Sequence, residues 1–102
     1  MRHDPHAQPE IELSIVVPAH NEADNLGALL DEIDAAVSPL GIPFECVVVD
    51  DASTDATPET IRSCMKSHAW LRALSLERPP RGGGNGQSAA VRAGFELARG
   101  DW

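Results

Sequence analysis

Two clusters of polar side chains follow two apolar runs, and both contain groups that can bind a ligand. The first cluster is Pro18-Ala19-His20-Asn21-Glu22, and residues 50–55 form the second, with three carboxylates and two hydroxyls. Carboxylates accept hydrogen bonds from the N–H groups of nucleobases and from ribose hydroxyls. If the two apolar runs are neighbouring strands, both clusters lie over one crevice and can bind a nucleotide together.

The run before the second cluster has the pattern of a buried parallel strand. Val47, Val48 and Val49 are β-branched and apolar, and they lead directly into Asp50 and Asp51. An unbroken apolar run is typical of a strand covered on both faces. Open α/β sheets bind their ligands at the carboxyl ends of the strands. We therefore expect the acidic cluster at the ligand-binding edge of a parallel sheet.

The remaining pattern predicts three strand–helix units joined by short connections. The predicted strands are residues 11–17, which Pro18 ends, residues 44–49, and Leu71–Leu76. Predicted helices follow Asn21 and Thr57, both read as N-caps, and a third runs from Gln87 until Gly100 ends it. A glycine- and proline-rich stretch, residues 77–86, is a predicted loop. The order β-α-β-α-β-α predicts a three-layer α/β/α, Rossmann-like parallel sheet.

Length, charge and cysteine use exclude several classes of protein. A chain of 102 residues forms one domain at most, and the formal net charge of −8 argues against nucleic-acid binding. Cys46 and Cys64 lack a C-x-x-C spacing, which favours two reduced thiols in a cytoplasmic protein. The sequence has no apolar stretch of about 18 residues for a membrane span. Residues 1–10 are predicted to be a disordered leader.

Each polar residue also has an ordinary structural role that the sequence alone leaves open. Asn21 and Thr57 are explained as helix caps, His20 as a loop residue, and Asp50 and Asp51 as turn formers or a metal pair. The glycine run contains neither G-x-x-x-x-G-K-[ST] nor G-x-G-x-x-G after the first strand. These absences exclude a P-loop and a Rossmann dinucleotide site.

Three motifs, in this order and spacing, resemble family 2 glycosyltransferases. They are Ile-Val-Val-Pro-Ala-His-Asn-Glu at residues 15–22, Val-Val-Asp-Asp-Ala-Ser-Thr-Asp at 48–55, and Gly-Gln-Ser-Ala-Ala at 86–90 with Ala-Arg-Gly-Asp at 98–101. Members of the family are inverting enzymes that have the GT-A fold and use nucleotide-sugar donors. The resemblance implies that residues 11–102 form the N-terminal, nucleotide-sugar-binding half of such a domain.

The resemblance also implies which residues of the first motif hold the nucleotide. Pro18, Ala19 and His20 would flank the base and the ribose, with His20 standing where the family often has Tyr. Glu22 would form a hydrogen bond on the ribose side. Arg92, in the predicted third helix, would face either the donor or solvent.

The other two motifs are expected to complete the nucleotide site. Asp51 would accept a hydrogen bond from the base N–H, whereas Asp50 would shape the turn. Ser53 belongs to the same nucleotide-binding set, where with Asp55 it would stabilise the loop and cap the helix. Gln87 would lie near the base or phosphates, at a place often held by Lys or Arg.

The family's D-x-D motif, which holds a divalent cation on the diphosphate, normally follows a Gly-Asp pair such as Gly100-Asp101. The resemblance therefore implies that Mg²⁺ or Mn²⁺, the general base and the acceptor pocket of the full-length parent depend on residues after Trp102. Such a cation would act as a Lewis acid on the leaving diphosphate. We expect that residues 1–102 alone bind no cation and have no transferase activity.

The third motif and Arg92-Ala93-Gly94 most resemble the branch that loads a sugar onto a polyprenyl phosphate, such as dolichyl-phosphate mannosyltransferase and bacterial undecaprenyl relatives. This resemblance implies a UDP- or GDP-sugar donor and a polyprenyl phosphate acceptor at the cytoplasmic face of the membrane. Alternatives are a nucleotide-binding module, an inactive remnant, or a receiver-like regulator, although receivers place their acidic pair after the first strand. An apolar edge at residues 11–17 further predicts self-association.

Overall fold

A parallel three-stranded sheet lies between two layers of helices in the computed structural model, which describes residues 10–98. The elements are β1 (Leu13–Ala19), α1 (Ala23–Val37), a 3₁₀ turn (Ser38–Leu40), β2 (Phe44–Asp51), α2 (Thr57–Ser67), β3 (Leu71–Leu76) and α3 (Gln87–Leu97). The strand order is β1-β2-β3, and both pairings are parallel. The predicted β-α-β-α-β-α order is therefore confirmed.

Separate apolar cores cover the two faces of β2, because successive strand residues point to opposite sides of the sheet. Cys46 and Val48 pack with side chains of α1 and α2, among them Leu26, Leu30 and Ile61. Val47 and Val49 pack on the other face, where Ala90 of α3 completes the second core. This burial on both sides explains the uninterrupted valine run and gives the three predicted layers.

Helix α3 lies very close to the sheet at Gly94. A Cβ atom at this position would overlap Val16 and lie 3.0 Å from Val49 Cγ2. Arg72 contacts the last turn of the same helix, because its Nη1 donates to the Leu97 carbonyl oxygen at 3.2 Å. The helix position is thus fixed by a glycine contact and by a cation at its carboxyl end, where free carbonyl groups need donors.

A buried ion pair accompanies that contact and was not expected from the sequence. The Glu45 side chain is 1% exposed, and its Oε1 lies 2.7 Å from Arg72 Nη1. Ser14 Oγ donates to the other carboxylate oxygen. Removing Arg72 would take this cation away from the buried Glu45 carboxylate, which is costly. The pair therefore fixes β1, β2 and β3 at the end of the sheet opposite the carboxyl ends of the strands.

The strand bounds correct the sequence prediction at three ends. Strand β1 begins at Leu13 because its pairing starts opposite Phe44, the first residue of β2. It continues through Pro18, which the sequence analysis took as its end; proline is tolerated because β1 is an edge strand of the described sheet. Strand β2 includes Asp50 and Asp51, since β3 is long enough to pair with both.

Helix α3 ends at Leu97 rather than at the predicted Gly100, because Ala98 takes an extended conformation after the last turn. Residues 1–9 of the predicted disordered leader, residues 1–10, lie outside the described residues, as does the Gly100-Asp101 pair. Within residues 10–98, no helix combines the length and the apolar character that crossing a bilayer requires.

Candidate functional site

A cavity of about 350 Å³ opens where β1 and β2 end and α3 begins. Six of the seven residues that the sequence analysis assigned to the nucleotide line it: Pro18, Ala19, His20, Glu22, Asp51 and Gln87. The remaining lining residues are Gly84, Gly86 and Ala90. Segments far apart in sequence therefore converge at the ligand-binding edge of the sheet, as the parallel topology requires.

Asn21 connects the loop after β1 to the loop after β2, which corrects its predicted role as the N-cap of α1. Its φ of 55° is left-handed, a conformation that Asn adopts more readily than most residues. Its Oδ1 accepts from the Thr54 N–H at 2.8 Å and the Asp55 N–H at 3.3 Å, and its own N–H donates to Ser53 Oγ at 2.9 Å. Glu22 takes the N-cap position instead, without a side-chain cap.

Asp55 and Thr57 form the second connection between these two loops. Thr57 is the first residue of α2, not its N-cap as predicted, because Ala56 takes that place. Asp55 Oδ1 accepts from the Thr57 N–H at 2.9 Å, and its Oδ2 accepts from the Ala23 N–H at 3.3 Å. Thr57 Oγ1 accepts from the Glu22 N–H at 2.9 Å. One carboxylate thus satisfies the starts of both α1 and α2.

The electrostatics of Asp55 agree with this capping role. The hydrogen bond from the Thr57 hydroxyl holds the pKa of the Asp55 carboxyl below its usual value. Ser53 has a similar structural role, since its Oγ accepts from the Asn21 N–H and so connects the same two loops. The structure therefore gives Ser53 and Asp55 the loop-stabilising contacts expected for them, whereas Ser53 does not line the cavity.

Asp50 and Asp51 are adjacent but serve different loops, because neighbouring strand residues point to opposite faces. Asp50 Oδ1 accepts from the Ser53 N–H at 3.2 Å and shapes the turn after β2, as expected. Asp51 faces the glycine-rich loop, residues 77–86, on the α3 side. The described residues contain no group of three His, Cys, Asp or Glu side chains placed to hold a metal ion. Because Asp50 and Asp51 point to opposite faces of the sheet, they are not placed to share one ion.

The Asp51 carboxylate binds the glycine-rich loop through three N–H groups. The Asn85 backbone and side-chain amides donate to Oδ1 at 2.7 and 2.8 Å, and the Gly86 N–H donates to Oδ2 at 2.8 Å. A Cβ at Gly84 would lie 2.7 Å from Oδ2, so only glycine permits this approach. Burial raises the pKa of Asp51, but the bonds from Asn85 and Gly86, with nearby His20, outweigh burial and lower it overall.

The glycine-rich loop also has hydrogen bonds between its own residues. Asn85 Nδ2 donates to the Glu77 carbonyl at 2.9 Å, and the Gly82 N–H donates to the Pro79 carbonyl at 2.9 Å. Gly86 has a φ of 98° at the N-cap of α3, which favours glycine. Sequence reasoning missed Gly84, Asn85 and Gly86 as site residues. The glycine run between a strand and a helix start was the available signal.

His20 is fixed at the rim of the cavity through its ring. Its Nδ1 lies 2.6 Å from the Asp51 carbonyl oxygen, which can only accept, so Nδ1 carries the proton. Nε2 faces the Asn21 side-chain amide at 3.5 Å. The ring is therefore held in one orientation beside Asp51, although the side chain is exposed.

A second, shallower cavity of about 690 Å³ lies along α3, and the structure places Arg92 there rather than in the first one. Its described lining comes from α3 alone, with Val91, Phe95 and Glu96 beside Arg92. Polar groups from different elements do not converge on this surface. We therefore assign the candidate site to the smaller cavity, where carboxylates, an imidazole and glycine amides meet.

The fold and this site together define a class: an α/β protein with a polar ligand cavity at the carboxyl edge of a parallel sheet. Residues 14–102 match the family model of glycosyl transferase family 2. The chain belongs to this family.

Curated relatives agree with that assignment. The undecaprenyl-phosphate 4-deoxy-4-formamido-L-arabinose transferase of Aeromonas hydrophila is 38% identical over 90 residues, which are 87% of this chain and 26% of that protein. The dodecaprenyl-phosphate galacturonate synthase of Rhizobium johnstonii is 38% identical over 91 residues, or 88% of this chain and 25% of that protein. The chain spans about a quarter of the length of these relatives.

A solved structure extends the agreement to the fold. The mannosyltransferase from Pyrobaculum calidifontis, in complex with GDP-Man and Mn²⁺, has a TM-score of 0.67 and 33% sequence identity. The match covers 93% of this chain and 26% of that one. Structural neighbours of the chain are GT-A glycosyltransferases, so the expected fold class is confirmed.

Proposed function

We propose that this chain binds the nucleotide of a UDP- or GDP-sugar and serves as the donor half of a sugar transferase. The observation that carries the proposal is the cavity lined by Pro18, Ala19, His20, Glu22, Asp51 and Gln87. In the full-length parent, the sugar would be transferred with inversion to a polyprenyl phosphate. The names of the two curated relatives and the GDP-Man complex of the structural neighbour support this choice of donor and acceptor.

The geometry suggests how the nucleotide is held. Asp51 and Glu22 supply acceptors for N–H and hydroxyl donors of the base and the ribose, while Pro18, Ala19 and His20 flank these rings. Gln87 and the amide groups at the start of α3 lie at the other side of the cavity. A helix N-terminus stabilises negative charge, which makes this the side for the diphosphate. Ser53 acts indirectly, because its Oγ holds the backbone of Asn21, the residue after His20.

A divalent cation, Mg²⁺ or Mn²⁺, remains part of the proposal for the full-length parent, where it would neutralise charge on the leaving diphosphate. We propose that the chain alone binds no cation and has no transferase activity. A polyprenyl phosphate acceptor is already anionic and needs little help from a base. The acceptor places the proposed reaction at the cytoplasmic face of a membrane.

Calorimetric titration with UDP, GDP and ADP tests the nucleotide site. We expect saturable binding of UDP or GDP and a loss of at least about tenfold in affinity for Asp51→Asn, because a charge-assisted hydrogen bond is lost. Asp31→Asn is the matched control, since Asp31 lies on the exposed side of α1, does not line the cavity and has its carboxylate beside His68. Equal affinities of both variants, or no binding to the wild type, would contradict the proposal.

We also propose that the chain self-associates through β1. This strand is an edge of the described sheet and carries the apolar residues Ile15, Val16 and Val17, all partly exposed. Edge strands with unpaired backbone groups can pair with another chain. Light scattering at increasing concentration should show a rising average mass, and a monodisperse monomer at high concentration would contradict this proposal.

A further inference from the structure

The hydrogen-bonding capacity of Asp51 is nearly used up by its own loop. An ionised carboxylate has about four acceptor positions, two on each oxygen. Asn85 fills both positions of Oδ1, with its backbone and side-chain amides, and Gly86 fills one position of Oδ2. One acceptor position is left, and it is on Oδ2.

The Asp51 side of this contact borders the candidate site. Gly86 donates to Oδ2 and Gly84 packs close to it, and Asp51 lines the 350 Å³ cavity together with both glycines. Asn85 is not among the lining residues and contacts Asp51 from the loop side. A base in the cavity therefore meets a carboxylate that can accept one further N–H.

Nucleobases differ in how many donors they present to such an acceptor. Uracil has one ring N–H, at N3. Guanine has two donors side by side, N1–H and the N2 amino group, which a carboxylate accepts with both oxygens. Cytosine has no proton on N3 and would place a lone pair against the carboxylate. A single open acceptor thus matches uracil, because guanine would have a second donor without a partner on this carboxylate.

We propose that Asn85 is a specificity-determining residue that makes the site select uracil over guanine, and hence a UDP-sugar as the donor. The proposal rests on the proposed nucleotide function and narrows it to one base. Asn85 does not touch the base. It acts by occupying the oxygen of Asp51 that guanine's second donor would need.

Replacing only the side chain of Asn85 should relax this selection. In Asn85→Ala the backbone N–H still donates to Oδ1, so each carboxylate oxygen has one open position. This is the arrangement that guanine's two parallel donors require. The loop stays attached through the two backbone bonds from residues 85 and 86.

Titration of wild type and Asn85→Ala with UDP, GDP and CDP tests the proposal. For the wild type we expect UDP to bind about tenfold more tightly than GDP, the effect of one unpaired donor, and CDP to bind more weakly than UDP. In the variant, the ratio of the GDP and UDP dissociation constants should fall several-fold. Asn85→Ser should act like Asn85→Ala, whereas the exposed α2 control Ser63→Ala should leave the ratio unchanged.

The outcomes separate this proposal from the one it rests on. A merely structural role of Asn85 would weaken UDP and GDP by the same factor and leave their ratio unchanged, which would overturn the inference alone. A wild type that prefers GDP would overturn it as well, while the nucleotide site stands. Absence of binding for all three nucleotides would overturn both proposals.

Discussion

The two walls of the cavity are held in different ways. The first wall consists of the connections after β1 and β2, which Asn21, Ser53, Asp55 and Thr57 link to each other and to the starts of α1 and α2. The second wall is the glycine-rich loop. Within residues 10–98, the hydrogen bonds from this loop to the strands end on the Asp51 carboxylate.

The site therefore combines a fixed part, the first wall, with a part that is attached at one point, the glycine-rich loop. The first wall contains helix starts and a buried threonine, so breaking it disturbs elements of the core. The second wall has its own internal bonds, so its release would leave the sheet and helices in place. Local regions with few buried contacts open at lower free energy than the whole fold. Stability and ligand selection are therefore assigned to different walls.

Thr57→Val should have the largest effect, because it breaks the first wall. Thr57 is fully buried, and its hydroxyl connects Glu22 with Asp55. Valine keeps the shape but leaves polar partners unsatisfied, so we expect the unfolding free energy to fall by about 1–3 kcal/mol. Chemical denaturation measures this loss. The matched control is Thr60→Val, since the Thr60 hydroxyl donates locally to the Ala56 carbonyl oxygen. Equal losses for both variants would contradict the role of Thr57.

Gly84→Ala should release the second wall and little else. The new Cβ would collide with the Asp51 carboxylate, so the Asn85 and Gly86 amides should lose protection from hydrogen exchange. Global stability should change by less than about 1 kcal/mol, as for changes outside the core. Gly27→Ala serves as the control, because its Cβ meets nothing within 4 Å. A large drop in global stability would show that the loop is part of the cooperative core.

Acidification should detach the glycine-rich loop from the Asp51 carboxylate. The pKa of Asp51 is lowered, so its bonds to Asn85 and Gly86 are fully present above the ordinary carboxyl pKa of about 3.9 and are lost as pH falls through the lowered value. The Asn85 and Gly86 amide shifts should follow this single transition by NMR. Asp51→Asn should remove the transition, and a midpoint above 3.9 would contradict the assigned bonds.

Thiol labelling should give the smallest change. It tests whether the glycine-rich loop opens independently of the core. Burial, together with Glu45, raises the pKa of Cys46 to about 12, so this thiol should react at pH 8 only when the core opens. Cys64 is partly exposed and should react first. Gly84→Ala should leave Cys46 labelling as slow as in the wild type, whereas Thr57→Val should speed it. Faster labelling in Gly84→Ala would contradict the independence of the loop.

Local sequence pattern predicted the architecture, because alternation of apolar strands and amphipathic helices is itself a local signal. It also placed Asp51 and His20 at one edge of the sheet. The pattern failed where a side chain bonds across a long separation in sequence. Asn21 and Thr57 looked like caps because their partners, more than 30 residues away, were unknown. The contact of Asn85 with Asp51 was missed for the same reason. The sequence around Glu45, inside an apolar strand, also did not indicate its ion pair with Arg72.

The most direct test of the central claim is an NMR titration of the isotope-labelled chain with UDP. If the cavity at the carboxyl edge binds the nucleotide, the amides of residues 19–22, 51 and 84–87 should shift together and saturate at one dissociation constant. Shifts confined to the outer surface of α3, at Val91, Phe95 and Glu96, would place the ligand elsewhere and contradict the assignment. An unchanged spectrum would contradict nucleotide binding itself.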